Sequence, residues 1–517
     1  NIFGAEGSLS QAALTFIGTP TSTFINTSFA SVQGLVNGDF GVSSPFASKP
    51  IGVAVGGEYR RYSGAQFGDL PSATPGAILG AGGAFSPISG SYFSREGFAE
   101  LNIPLIADRP FFHDLTLETG ARYASYSNSG GNWTYKFGGS WAPIEDIRVR
   151  GVWSRAVRAP NIGELFAPVA TGLNNLATDP CQLALPTGNA TTTAICSAQL
   201  AAVGLPASRV GAIPAPIAGQ INVTTGGNPN LSPEVATTYT VGIVVQPRSV
   251  AFLRGLTATA DFYDVVVTGA ISSPTVGDIV NGCFGQSNPN DIRCQAIRRN
   301  PLTGGLSGDP STTQGAILQS SNLGFLNTRG INFGADYSRS FGEIKANIGI
   351  TGNYTLRSRF QSTPSSFVRE CVNFYSVSCD PVLPKFTFNQ RTSVSVDLFD
   401  VSLLWRHISP TRYEPRTGAT ATTPPVAGTV GSFGSTNPAT IIGAYRQIPA
   451  FDYLDLTIGA NVTSQFTLGF LVTNLLNRQA PDVGNTIGST GFNSGNTFPS
   501  TYDAIGRRFT INGRLKF

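Results

Sequence analysis

Six cysteines, two histidines and a thin scatter of acids and bases are the residues here that could do chemistry. The cysteines stand close together in twos: Cys181 with Cys196, Cys283 with Cys294, and Cys371 with Cys379. Thiols so spaced could hold a metal ion or close disulfides. A metal site needs His or Cys at ligand spacing, and the two histidines, His113 and His407, do not supply it, so no metal is expected. An even count at short spacing reads as disulfides if the chain is exported. Sequence does not fix the connectivity; local pairing is the simplest arrangement.

Catalytic constellations are sparse. GAILGAGGAF (76–85) is Gly-rich, but it has no Lys and follows no strand–helix unit, so it is not a phosphate loop. GSTGF (488–492) lacks the spacing of a serine elbow. Glu58, Glu118, Arg122, Arg148 and Arg150 could form a relay, although charges lining a wet β-barrel would pair with one another instead. No enzyme and no cofactor is expected. The net charge of +4 comes without a basic run, which argues against nucleic acid as a partner. Only 12% of the 517 residues are charged, about half the usual share, while hydrophobic content is ordinary at 41%. Low charge without high hydrophobicity suits a barrel whose apolar residues occupy every second position. No apolar stretch is long enough for a transmembrane helix, and no signal peptide opens the chain. Methionine is absent, so residue 1 is not an initiator and the chain reads as processed or partial.

The elements that would position these residues are strands. EIKANIGITGNYTL alternates without a break: Ile344, Ala346, Ile348, Ile350, Tyr354 and Leu356 share one face. That run exceeds the usual strand of about 5–6 residues and can cross a bilayer when tilted. NWTYKFGGSW, LTLETGARY, YLDLTIGANV and the terminal RRFTINGRLKF repeat the pattern. Aromatics gather near strand ends, among them Tyr59, Tyr123, Trp133, Trp141, Trp153 and Trp405, as interfacial girdles require. About 15 strands are expected, centred near 30, 55, 100, 120, 137, 151, 241, 261, 334, 349, 392, 404, 458, 470 and 511. Short turns alternate with long connections near 61–94, 158–236, 268–328, 357–384, 408–450 and 477–505. Outer-membrane barrels have short periplasmic turns and long outer loops. The fold expected is therefore all-β, a transmembrane antiparallel β-barrel, with a string of β-sandwich domains as the alternative. Single-chain bacterial barrels have an even number of strands, so an odd count implies that something precedes this chain. Residues 1–24 would then be part of an extracellular loop and 25–517 the C-terminal portion of the barrel.

Several segments carry a family resemblance. WSRAVRAPNIGELF (153–166), with Arg158, Pro160 and Asn161, resembles the outer-end signature of TonB-dependent receptors of Gram-negative outer membranes. GGNPNLSPEVATTYTVGI (226–243), with Asn228, Pro229, Asn230, Pro233 and Glu234, resembles their segment leading into the next strand. LNTRGINFGADY, FLVTNLLNRQAP with Asn474, and the terminal strand ending on Phe517 resemble three more, in the right order. The resemblance implies a barrel of 22 strands, of which this chain supplies about 15, and an integral outer-membrane location. It implies that an N-terminal part with a plug and the first strands lies elsewhere, in the same precursor or a separate chain. It implies energy from the TonB–ExbB–ExbD inner-membrane complex, contact with outer-membrane lipid and lipopolysaccharide, and a surface lipoprotein as a further partner. In such an exported chain the six cysteines are expected as disulfides that pin the outer loops.

The function so implied is active import of a scarce nutrient, an oligosaccharide, siderophore or similar ligand. Loop aromatics and cations, Phe284, Arg293, Phe374, Tyr375, Arg412 and Tyr413, are the expected contacts. The loops mix aromatics with Asn, Thr and Ser, which favours a glycan or neutral ligand over a highly anionic chelate. The alternatives are a surface scaffold or adhesin that binds a protein through disulfide-pinned loops, and a passive pore.

Overall fold

Period-two alternation of apolar and polar residues builds hairpins wherever a short turn lets one strand fold back on the last. In the computed structural model this happens repeatedly. The structure describes residues 9–516, apart from 19, 75–76, 78–84, 177, 286–287, 365–367, 377–378, 380, 415–445 and 484–496. Phe517 and GSTGF lie outside the described residues, as does most of GAILGAGGAF.

Fifteen strands follow one another around a single sheet. They are β1 (Thr23–Ser43), β2 (Pro50–Gly68), β3 (Ile88–Arg109), β4 (Phe112–Tyr126) and β5 (Gly130–Ile144). Next come β6 (Ile147–Arg158), β7 (Glu234–Val245), β8 (Leu256–Ser272), β9 (Ser321–Phe341) and β10 (Ile344–Gln361). The last five are β11 (Phe386–Val396), β12 (Phe399–Ile408), β13 (Phe451–Asn461), β14 (Phe466–Thr473) and β15 (Arg508–Leu515). Each pairs antiparallel with the next, and a two-residue strand, Arg369–Glu370, adds beside β10. All fifteen expected centres fall inside strands. Several strands outrun the expected boundaries: β2 continues to Gly68 and β3 starts at Ile88, so much of 61–94 is strand, not loop. Among the described residues β1 pairs only with β2, and β15 only with β14. No helix among the described residues is long and apolar enough to cross a membrane.

The two faces differ in chemistry as the alternation requires. On one face, rings stack from strand to strand: Trp153 lies 5.4 Å from Tyr135 and 5.8 Å from Phe137, centroid to centroid. On the other, charges pair across strands. Arg150 of β6 meets both oxygens of Asp261 of β8 at 2.8 Å, reaching past β7 between them. That reach requires Gly242 of β7, where a Cβ would stand 1.9 Å from the Asp261 carboxylate. Arg122 bridges Glu58 and Glu96, two acids that face each other directly across β2 and β3. Like charges so placed repel, and the shared guanidinium offsets this.

The long connections fold as well. Those near 158–236 and 268–328 meet in a four-stranded sheet built from Ala170–Asn175, Gln220–Thr225, Gly315–Ile317 and Ile297–Arg298. Helices Ala190–Ala201 and Val276–Phe284 contribute to its apolar core, which includes Ile195, Ile221, Val223, Val276 and Val280.

Candidate functional site

The outer end of the sheet carries three built regions. The first is a joint at the end of β6. Arg158 donates to Glu234 Oε2 at 2.6 Å and to both oxygens of Glu164, at 2.9 and 3.0 Å. Asn161 caps the short helix Ile162–Phe166: its side chain accepts from the Glu164 amide, and Glu164 accepts from the Asn161 amide. Leu165 of that helix is buried with Tyr92 and Leu231. Asn228 donates its amide N–H to the Glu164 carbonyl and its side chain to the Ser320 carbonyl, and accepts from the Asn230 amide. Glu234 also accepts from the Ile271 amide at 2.6 Å. Pro160 and Pro233 are buried, while Pro229 and Asn230 are exposed. The motif residues thus meet in one place, tying β6, β7 and β8 together. Asn474 sits apart, fully buried beyond β14, where its amide donates to Asp455 at 2.7 Å and its side chain brackets Arg478.

The second region is the unit formed by the long loops between β6 and β7 and between β8 and β9. Cys181–Cys196 and Cys283–Cys294 are disulfides, with Cα atoms 5.7 and 4.6 Å apart. Phe284 packs against the apolar core, half-buried. Arg293 pairs with Asp291 at 2.7 Å, and those hydrogen bonds hold the Asp291 carboxyl down at about 2. At the centre lies a pairing that the sequence reading missed. Arg299 contacts Asp179 at 2.6 and 3.0 Å and Gln199 at 2.7 Å, and it donates to the Gly304 carbonyl at 3.0 Å. Gln199 in turn donates to the sulfur of Cys283 at 3.4 Å.

The third region gathers Phe374–Tyr375, Thr411–Tyr413 and Gln447–Ile448 into a small sheet stapled by Cys371–Cys379. Tyr375 and Tyr413 are buried, in an aromatic core with Phe451, Tyr453, Phe498 and Tyr502. Burial pushes the Tyr375 hydroxyl up and the Tyr502 hydroxyl up to about 12. Phe374 and Arg412 are direct partners across this sheet, the first half-buried and the second exposed. Of the six expected contacts, Phe284 and Arg293 therefore belong to one loop unit and the other four to another. All three cysteine pairs join locally, as expected.

Inside the sheet's charged face lies a recess of about 440 Å³, lined in part by Gln33, Phe98, Glu100, Arg122, Thr134 and Lys136. Lys136 reaches Glu100 there at 3.0 Å. No group of three or more His, Cys, Asp or Glu side chains among the described residues could hold a metal ion. The arrangement offers charge-paired walls, folded outer loops and a recess lined by both apolar and charged side chains.

Comparison with known proteins agrees. The profile described as TonB-dependent receptor-like, β-barrel matches residues 4–475. A variant of the ferric enterobactin receptor PfeA from Pseudomonas aeruginosa, solved with enterobactin, matches at 17% identity and a TM-score of 0.58, over 95% of this chain and 55% of that one. The siderophore receptor PirA from Acinetobacter baumannii matches at 15% identity and 0.56, over 95% and 55%. The copper transporter OprC matches at 14% identity and 0.52, over 96% and 58%. At such identities the likeness is one of fold, and the chain spans a little over half the length of these structures. Comparison with curated protein sequences gives no match. With the profile covering most of the chain and the fifteen strands forming one antiparallel sheet, the chain belongs to the TonB-dependent receptor-like β-barrel family and is integral to the Gram-negative outer membrane.

Proposed function

We propose that this chain forms most of the wall and the outer capture surface of an active importer, which takes up a scarce solute such as an oligosaccharide or a siderophore. The observation that carries the reading is the pair of compact, disulfide-stapled loop units at the outer end of the sheet. Loops of a passive pore need no cores of their own, whereas a capture surface needs side chains held in fixed positions. Phe374 and Arg412, paired across the small sheet with the first half-buried and the second exposed, are the best-placed contacts of the six.

The open edges of β1 and β15 support a second part of the proposal. Unpaired backbone groups are not tolerated in hydrocarbon, so neither edge stays open, and in this proposal further strands close both. The part that supplies them carries the plug and the contact to TonB–ExbB–ExbD. Peptide mass spectrometry on the purified, unheated particle is expected to find plug-bearing sequence associated with this chain.

The test of import is uptake. Cells with and without the intact receptor, and with and without TonB, are compared for accumulation of labelled oligosaccharides, ferric siderophores and cobalamin. Receptor- and TonB-dependent uptake of one of them is expected. Steady conductance through the purified particle in planar bilayers, with no TonB-dependent uptake, would establish a passive pore instead. Loss of cell-surface binding to a protein partner, again without any uptake, would establish a scaffold.

A further inference from the structure

The bilayer-facing side of the first six strands carries cations and no acids. On that face β1 presents Phe24 to Gly38 at even positions, β2 Ile51 to Phe67 at odd positions and β3 Ser89 to Ile103 at odd positions. β4, β5 and β6 continue it with Leu115 to Ser125, Gly131 to Trp141 and Ile147 to Val157, again at odd positions. Among these, Arg61, Arg95 and Arg155 are charged, and no Asp or Glu occurs. Arg155 is committed, donating to the Trp133 carbonyl. Arg61 and Arg95 are exposed, and among the described residues their guanidinium groups make no hydrogen bond or ion pair.

These two arginines are neighbours. Arg61 stands opposite Phe93, and Tyr59 opposite Arg95, so the guanidinium-bearing positions are diagonal partners, about 7–8 Å apart. Between them the Tyr59 and Phe93 rings lie 5.8 Å apart, and the Arg95 guanidinium lies 5.3 Å from the Phe93 centroid. Their height is set by what lies on either side. Toward the short turns, the same face is apolar: Val53 and Val55 on β2, Gly97, Ala99, Leu101 and Ile103 on β3. Toward the long loop serines follow, Ser63 on β2 and Ser91 and Ser89 on β3, before the stacked Phe67 and Phe24 rings at the strand ends. The Tyr123 and Trp133 rings, 5.1 Å apart on the adjoining strands, mark the girdle at this level. Two unpaired guanidiniums one diagonal apart repel each other unless an anion lies between them.

We propose that Arg61 and Arg95, on the Tyr59–Phe93 platform, bind a phosphate of a lipid headgroup in the outer leaflet. Guanidinium forks match phosphate oxygens in two-point contacts, and the site faces the layer where anionic lipopolysaccharide headgroups lie. A free phosphate ion shares the chemistry, but it would have no reason to sit on the bilayer-facing side.

The test uses the receptor extracted from outer membranes in mild detergent without heating. Native mass spectrometry counts bound lipopolysaccharide on the wild type, on R61Q/R95Q and on R109Q, which alters an exposed arginine at the other end of β3. Heat-modifiable gel mobility checks that each barrel is folded. Wild type and R109Q are expected to retain lipid, and R61Q/R95Q at least ten-fold less. Re-addition to delipidated wild type is expected to succeed with lipopolysaccharide and fail with a phosphatase-treated preparation, and inorganic phosphate is expected not to displace the lipid. Equal retention by a folded double variant, or equal binding of dephosphorylated lipid, would overturn the proposal. Displacement by inorganic phosphate would make the site an ion site and overturn the lipid assignment. The phosphatase arm stands even if the double variant fails to fold.

Discussion

Arg299 and Asp179 lie 120 residues apart on different loops, yet they form a two-point ion pair whose side chains are 0% and 1% exposed. Each comes from one of the two connections that make the first loop unit, so the pair locks one loop to the other. Removing one partner strands a buried charge, which costs about 3–5 kcal/mol. Arg299→Ala is therefore expected to open this unit while leaving the sheet intact. Hydrogen exchange reads this directly: Gln220–Thr225 and Gly315–Ile317 should lose protection, and β9 should keep it. Unchanged protection in the loop strands would mean that the apolar core holds them without the pair.

That pair also marks the limit of what the chain discloses. Strand positions are legible because alternation is local: each residue's face follows from its neighbour's. Strand ends are less so. Arg61 opens the connection expected over 61–94, whereas the ladder between β2 and β3 carries on through it as far as Gln66 and Ile88. Nothing in the sequence couples Arg299 to Asp179, because loop–loop contacts have no period. Tyr375 and Tyr413 show the same limit at close range. They read as candidate ligand contacts beside Phe374 and Arg412, and a two- or three-residue strand gives no pattern from which to choose the buried face. The rim joint was legible as a motif, but its role as a tie between three strands needed Arg158, Glu164 and Glu234 in one place.

Reduction should separate the loops from the wall. The three disulfides enclose short spans, with separations of 15, 11 and 8 residues, and all lie outside the fifteen strands. In the chain-entropy account a loop of that order is worth about 3 kcal/mol to the segment it closes. Under reductant, limited proteolysis is expected to cut within 176–215, 276–296 and 369–383, while heat-modifiable mobility of the barrel stays unchanged. Barrel collapse on reduction would contradict the separation.

The aromatic loop unit should respond to alkali. Burial raises Tyr375 and takes Tyr502 to about 12, against 10.0 for a free phenol. The folded unit therefore holds its protons longer than the unfolded loop does. Its stability is intact below about 10 and falls as pH rises from there toward about 12. Proteolysis near Phe498–Tyr502 should accelerate across that window, together with tyrosinate absorbance, and Tyr502→Phe should flatten the response. An onset well below 10 would point to groups other than these phenols.

The assignment of faces has its own test in β10. Ile348 is 49% exposed, stands opposite Tyr337 and Thr392, and shares its face with Ile344 and Ile350. Its sequence neighbours Asn347 and Gly349 point the other way, where Asn347 donates to Asp336 at 3.0 and 3.1 Å. If the isoleucine face meets hydrocarbon, Ile348→Arg places a cation in lipid and should destabilise the barrel by about 2–4 kcal/mol near the midplane. The same change at Asn347 puts the cation beside Asp336 in the wet interior and should cost little. Urea unfolding in lipid vesicles measures both. The comparison between adjacent residues matters more than either value, because one step along a strand reverses the face while depth barely changes. A larger penalty at Asn347 than at Ile348 would mean that the sheet is inside out in this account, and the bilayer placement of Arg61 and Arg95 would fall with it.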